Sequence, residues 1–251
     1  MIDYMGFQVK TMLQTKTLEG KGGVAALKRD IVSGVLAPGE PLRLMALSKR
    51  YGVGYTPLRE ALSRFGEAGL VVLSPNRGYR VAPVSFAELE DLEQSRALVE
   101  VALLEDAIAH GDLAWEAAIV AAHHRLARAS AVLDDGAQAY SEWMEAHDAF
   151  HAALLAAARS VWLKSFQRQL SEQLRRHHHA LLFSPADAGG EVITHDPATR
   201  ALLAEALALE GHTRLMDAAL ARDADHAATL LRAHVQFTLA VHRAASGGEG
   251  E

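Results

Sequence analysis

Apolar residues recur at helical spacing along most of this chain, and they do so in two different styles. In the first third the stripes are short and punctuated. Leu44 and Leu47 form one, and Leu58, Leu62 and Phe65 form another, so each set lies on one face of a short helix. Gly52 separates them and supplies the left-handed backbone that ends a helix at low cost. Pro57 falls in the first turn of the second helix, where its missing N–H does little harm. Two short β-prone runs follow, Leu70 to Leu73 and Tyr79 to Val84, around the turn formers Ser74 to Gly78. A helix pair followed at once by a hairpin predicts a winged helix-turn-helix. The same arrangement also serves elsewhere as a protein-docking module.

From Ser85 onward the style changes. Only Pro185 and Pro197 interrupt the chain, and alanine and leucine dominate. The periodicity predicts six helices, at about 86–110, 112–133, 136–158, 161–183, 197–221 and 223–245. Ser85 caps the first, with Glu88 three residues on completing a capping box. Short turns between long helices predict an antiparallel bundle. The stretch from Ser184 to Asp196 is the one long loop, read either as a lid over a bundle cavity or as a plain excursion. The expected fold is therefore mainly α: a flexible arm at 1–21, a winged helix-turn-helix at 22–84, an all-α bundle at 85–246 and a tail at 247–251.

Charge sharpens this division. The whole chain carries a net −6, which seems to oppose nucleic-acid binding. Residues 1–84, however, hold twelve Lys and Arg against six Asp and Glu. The acidic excess, and all thirteen histidines, lie in the helical part. A basic head on an acidic body suits a phosphate-facing module joined to a body that repels DNA. Arg59 and Arg64 project from surface that apolar packing does not claim, and Arg77 and Gly78 sit at the tip of the wing. There is no cysteine, so disulfides and thiolate metal sites are excluded. No run of 18 apolar residues exists, and residues 1–21 lack the apolar centre of a signal peptide. The expected location is the cytoplasm, with no membrane partner.

Four histidines of the bundle fit a metal site. His147 and His151, four apart, project from one helix face, and His212 and His234 fall on the two later helices. Imidazole ligands favour zinc, nickel or another late first-row divalent ion. The alternative for each histidine is an ordinary surface or hydrogen-bonded residue. His110, His123 and His124 read as surface, and His177 to His179 as a cluster of which one or two members face a cavity or which is simply solvated.

The motifs in the first third resemble those of the GntR family of bacterial transcription regulators. Ile31 to Leu42 is similar to its I-x-x-G-x-L-x-P-G-x-x-L stretch, Thr56 to Leu62 to its T-P-x-R-E-A-L recognition helix, and Arg77 to Val81 to its R-G-Y-x-V wing. The helical part resembles the FCD effector domain of the FadR-type branch. The resemblance implies DNA contact by Arg59, joined by Thr56 and Tyr55. Relatives commonly have Ser-Arg before Thr-Pro, where this chain has Gly54-Tyr55. Tyr55 stacks or makes one hydrogen bond but cannot grip guanine bidentately, so the operator sequence does not carry over. In the effector domain, Phe150-His151, His212 and His234 match the family's ligand positions. An Asp commonly stands four residues before the F-H histidine; here that position is His147, with Asp148 beside it as the alternative ligand. The resemblance also implies that Arg96, four residues before Glu100, grips a carboxylate effector or else pairs with Glu100. Separately, helix geometry offers Arg175 and His178 or His179 as liners of the effector cavity, with a solvated cluster as the alternative. The implied protein is a homodimer that binds a double-stranded operator and answers to a small organic acid held near a metal. Two other readings compete: a metal-dependent enzyme with a nucleic-acid-targeting head, and a dimeric DNA-binding protein with no effector. Against the enzyme, no H-E-x-x-H, nucleophile elbow or phosphate loop is present.

Overall fold

The computed structural model describes residues 22–75, 78–129, 136–182 and 197–245. The chain divides into two compact units, one ending at Pro83 and the other starting at Val84.

The first unit comprises α1 (22–32), α2 (Leu44–Tyr51), α3 (Tyr55–Glu67), β1 (Val71–Ser74) and β2 (Gly78–Val81). Gly52 ends α2 with φ 65°, its N–H donating to the Ser48 carbonyl. On α3 the buried residues are Leu58, Ala61, Leu62 and Phe65, a stripe that seals against Leu27 and Ile31 of α1 and Leu47 of α2 in one core. The strands pair antiparallel, Val71 opposite Val81 and Ser74 opposite Gly78. The segment before α2 adds a partial third strand through the Pro41–Arg80 bridge. Asp30 of α1 accepts from both Tyr51 Oη, at 2.6 Å, and Arg50 Nη2, at 2.8 Å, which fixes α2 on α1. Burial, with Asp30 beside it, raises the Tyr51 phenol above its ordinary pKa.

The described elements of the second unit are all helices: α4 (Phe86–His110), α5 (Leu113–Arg128), α6 (Gly136–Leu155), α7 (Val161–Leu182), α8 (Pro197–Ala206), α9 (Leu209–Leu220) and α10 (Ala224–Ala245). Ser85 Oγ accepts from the Glu88 N–H at 3.1 Å and caps α4. Asp112 caps α5 through the Trp115 N–H. Trp115 then donates its indole N–H to the Leu154 carbonyl, locking α5 to α6. The main core runs from Leu104 and Ile119 through Phe150 to Leu215 and Leu231.

The expected helix at 197–221 is two helices, so the bundle has seven among its described residues rather than six. No glycine or proline marks the break at Leu207-Ala208; packing causes it. Leu203 and His212 are each 2% exposed, yet on one unbroken helix they would lie about 180° apart. The break lets both face inward. No helix among the described residues is long and apolar enough to cross a membrane. Four sequence-based expectations, the arm at 1–21, Arg77 in the wing, the loop from Ser184 to Asp196 and the tail at 247–251, lie outside the described residues.

Candidate functional site

Long helices place the four bundle histidines. His147 and His151 leave α6 one turn apart, His212 enters from α9 and His234 from α10. One nitrogen from each lies within 4.8 Å of all the others. The rings are correspondingly close, with centroids 4.5 Å apart for His147 and His151 and 4.9 Å for His212 and His234.

The donor set is preorganised for a cation. Burial, reinforced by the neighbouring imidazoles, pulls His151 and His234 well below their usual pKa and His212 to about 3. Burial likewise lowers His147, against an opposing pull from Asp148. All four are therefore neutral at physiological pH and offer lone pairs. His212 donates Nδ1–H to the Ala208 carbonyl at 3.2 Å, which leaves its Nε2 as the acceptor. The Nε2 atoms of His151 and His212 are buried without a hydrogen-bond partner. Such orphaned buried nitrogens are costly in a folded protein, and a shared divalent ion would satisfy them. The residues present fit a late first-row metal.

Asp148 stands outside this set. Its Oδ1 faces His147 Nδ1 at 3.4 Å, while Oδ2 accepts from Arg175 Nε at 3.0 Å and also from Arg175 Nη2. Burial pushes its carboxyl up, but His147 and Arg175 outweigh this and hold it at about 2. A carboxylate behind a ligating imidazole orients the ring and raises its basicity.

Beside the histidines lies a cavity of about 50 Å³, walled by Arg96, Trp143, His178, Leu203, Thr238 and His242 among others. Of the two roles open to Arg96, ion pairing is the one observed. Its Nε lies 3.1 Å from Glu100 Oε2 and its Nη1 3.5 Å from Glu93 Oε2. Burial pushes the Glu93 carboxyl up, but Arg96 and His178 more than compensate and keep it ionised. His178 meets Glu93 at 3.0 Å and stacks on His242 at 4.6 Å. Arg175, expected as a cavity liner, is instead clamped on Asp148. The run His177 to His179 is no solvated cluster: His177 and His178 are buried. His123, expected at the surface, is half-buried and bonds Thr213 at 2.8 Å while meeting the edge of Phe150. Among the residues in and beside this cavity that escaped sequence reasoning are Glu93, which pairs with His178, and Trp143 and His242 of the wall. Glu93 carries a signal, falling with Arg96 and Glu100 at inward positions of α4, and so does His242, which shares one face of α10 with His234 and Thr238. Trp143 carries none.

In the first unit, Tyr55, Thr56 and Arg59 are exposed on neighbouring positions of α3, Tyr55 by 53%. Arg64 is exposed too, but lies about 140° round the helix from Arg59. Gly78 opens β2 with φ 74° and is exposed.

Comparison with known proteins agrees with this architecture. Residues 24–81 match the bacterial regulatory proteins of the gntR family, and residues 91–237 match the FCD domain. The chain is 33% identical over 235 residues to the HTH-type transcriptional repressor GlaR of Escherichia coli (strain K12), covering 92% of this chain and 99% of that relative. It is also 33% identical over 218 residues to the uncharacterized HTH-type transcriptional regulator BphR of Paraburkholderia xenovorans (strain LB400), covering 86% and 82%. The solved structure of E. coli McbR/YncC has the same fold, with a TM-score of 0.68 at 20% identity over 89% of this chain and 96% of that one. A winged helix-turn-helix matched along its length, an effector domain matched in turn and relatives aligned across both make the chain a member of the GntR family, a DNA-binding transcription regulator with an FCD domain of the kind that typically binds a small-molecule effector.

Proposed function

We propose that this regulator acts in the cytoplasm as a homodimer, holds a zinc or nickel ion on His147, His151, His212 and His234, and responds to a small carboxylic acid in the adjoining cavity. The observation that carries the metal reading is the convergence of four neutral imidazoles, three buried and one half-buried, two with unpaired Nε2 atoms. The bound ion supplies a Lewis-acidic grip for a carboxylate oxygen. The protein does the rest. Trp143 and Phe150 pack against the ligand rings and exclude water, and Asp148 orients His147. Arg96, neutralised by Glu93 and Glu100, contributes shape and hydrogen-bonding more than net charge.

The size of the cavity bears on the effector. A water needs about 10–15 Å³ of such space, so about 50 Å³ admits a carboxylate group. A longer acid must displace Leu203 and Leu207, which α8 and the turn after it contribute to the wall.

On the DNA side, Tyr55, Thr56 and Arg59 read bases in the major groove, with Arg64, Arg77 and Gly78 contacting the backbone. One head makes too few contacts for the nanomolar range usual at specific sites. Two heads on a short palindrome supply the avidity.

Elemental analysis and native mass spectrometry of the purified protein test the metal directly, with one ion per chain expected. The pair His151→Ala with His212→Ala abolishes that ion and the effector response, while operator binding by the first unit persists. A stoichiometric ion retained by the double variant places the metal elsewhere.

A further inference from the structure

One turn of α7 joins the histidine site to the start of α4. Arg175 holds Asp148 of α6, which in turn faces His147. Two residues on, His177 is fully buried. Its Nδ1 lies 2.8 Å from the Gln173 carbonyl and its Nε2 3.0 Å from Glu88 Oε2, both of them acceptors, so the protonated ring donates to both at once. His178, the next residue, meets Glu93.

A second chain of charges leads back from this turn to a different ligand. Glu93 pairs with Arg96, Arg96 with Glu100, and Glu100 Oε2 lies 3.9 Å from His151 Nδ1. Two of the four histidines therefore reach the same turn of α7 through two separate sets of carboxylates. The turn's partner on α4 is Glu88, whose own N–H is the one capped by Ser85. That places the connection in the first turn of α4, immediately after the sequence leaves the DNA-binding unit at Pro83.

We propose that the turn from Arg175 to His178 is a relay coupling metal occupancy at the four histidines to the order of the first turn of α4. The inference rests on the metal reading above. An imidazole bound through one nitrogen becomes a stronger donor through the other, so loading tightens His147 on Asp148 and draws Arg175 with it. The helix α7 moves as a rigid element, and His177 and His178 carry the change to Glu88 and Glu93. The responsive element has two states, a capped first turn and a frayed one, because the N–H groups of a helix start have no intrahelical partners. Occupancy biases it toward the capped state, and this is the physical requirement for coupling between distant sites.

Amide hydrogen exchange on the full chain, stripped of metal and then given zinc chloride, tests the relay. Zinc slows exchange in α6 and, by about tenfold or more, at residues 86–92. Glu88→Ala removes the contact to His177 at a half-exposed position, leaving zinc stoichiometry and the response of α6 unchanged while abolishing the response at 86–92. Arg175→Gln weakens that response. Glu90→Ala, which loses an ion pair to Arg243 but touches nothing on α7 in this scheme, keeps it. Zinc-dependent protection at 86–92 that survives Glu88→Ala, or that never extends beyond the ligand helices in the unmodified protein, overturns the relay alone. Failure of zinc to bind overturns the metal reading and the relay together.

Discussion

Trp143 lies flat against His147, with ring centroids 4.8 Å apart and planes inclined by 25°. The indole covers one face of the imidazole, one turn of α6 away, and closes the cavity on that side. Trp143→Ala keeps all four nitrogens yet loosens the ring that His147 presents. We expect metal affinity to fall about 10–100-fold, as it does when supporting groups around a ligand are removed. Stability should fall by about 3–5 kcal/mol from the large cavity left behind. Calorimetric zinc titration and urea denaturation measure the two effects separately, and Trp143→Phe should restore most of the first.

The buried imidazoles set a pH dependence for the metal-free protein. His212 has a folded pKa of about 3, far below the value of about 6.5 for an unfolded histidine. Between these limits the unfolded chain binds the proton and the folded one does not. Stability is therefore fully present above about pH 6.5 and declines as pH falls toward about 3. His242, also held at about 3 by burial and by His178, acts in the same direction. Denaturation midpoints measured across this window should drop with acidity, and His212→Phe should flatten the slope.

Operator recognition should depend unequally on the two exposed arginines of α3. Arg59→Ala should cost about 1–3 kcal/mol at a specific site. Arg64→Ala, off that face, should weaken specific and non-specific DNA alike and by less. Fluorescence anisotropy with both DNAs reads the difference. Equal losses for the two variants on the operator would remove the assignment of the reading face.

Arg222 turns the corner between α9 and α10 with φ 61°, a left-handed backbone on a side chain that disfavours it. Its guanidinium donates to the Ile108 and Gly111 carbonyls, pairs with Glu116 and lies 4.9 Å over Trp115. Arg222→Ala keeps the strain and loses every contact, so it should destabilise by roughly 2–4 kcal/mol. Arg222→Gly loses the same contacts but relieves the backbone, and should be about 1 kcal/mol less damaging. Urea titrations with unchanged slopes would give both numbers.

How far the residues themselves disclose this molecule depends on the range of the interactions involved. The recognition helix is legible because Leu58, Leu62 and Phe65 repeat at helical spacing and Gly52 marks the turn, all local signals. The histidine cluster is legible because His147 and His151 are one turn apart and the other two match known registers. The break at Leu207-Ala208 leaves no local trace, since Ala, Leu and Glu favour helix on both sides; only the demand that Leu203 and His212 share an interior imposes it. The roles of Arg175 and of His177 to His179 depend on which carboxylates arrive from α4 and α6, up to 89 residues away in sequence. Periodicity carries no information about such pairings.

The interruption before Leu209 also separates two kinds of change. Residues up to Leu207 contribute to the cavity wall, while His212 belongs to the histidine cluster. With the helix broken between them, an insertion or deletion in α8 rotates the wall without turning His212, whereas a single residue added between Leu209 and His212 would swing the imidazole about 100°. Sequence drift in α8 can therefore reshape the cavity wall while the four imidazoles stay in register, so the two halves of the proposed site are free to diverge at different rates.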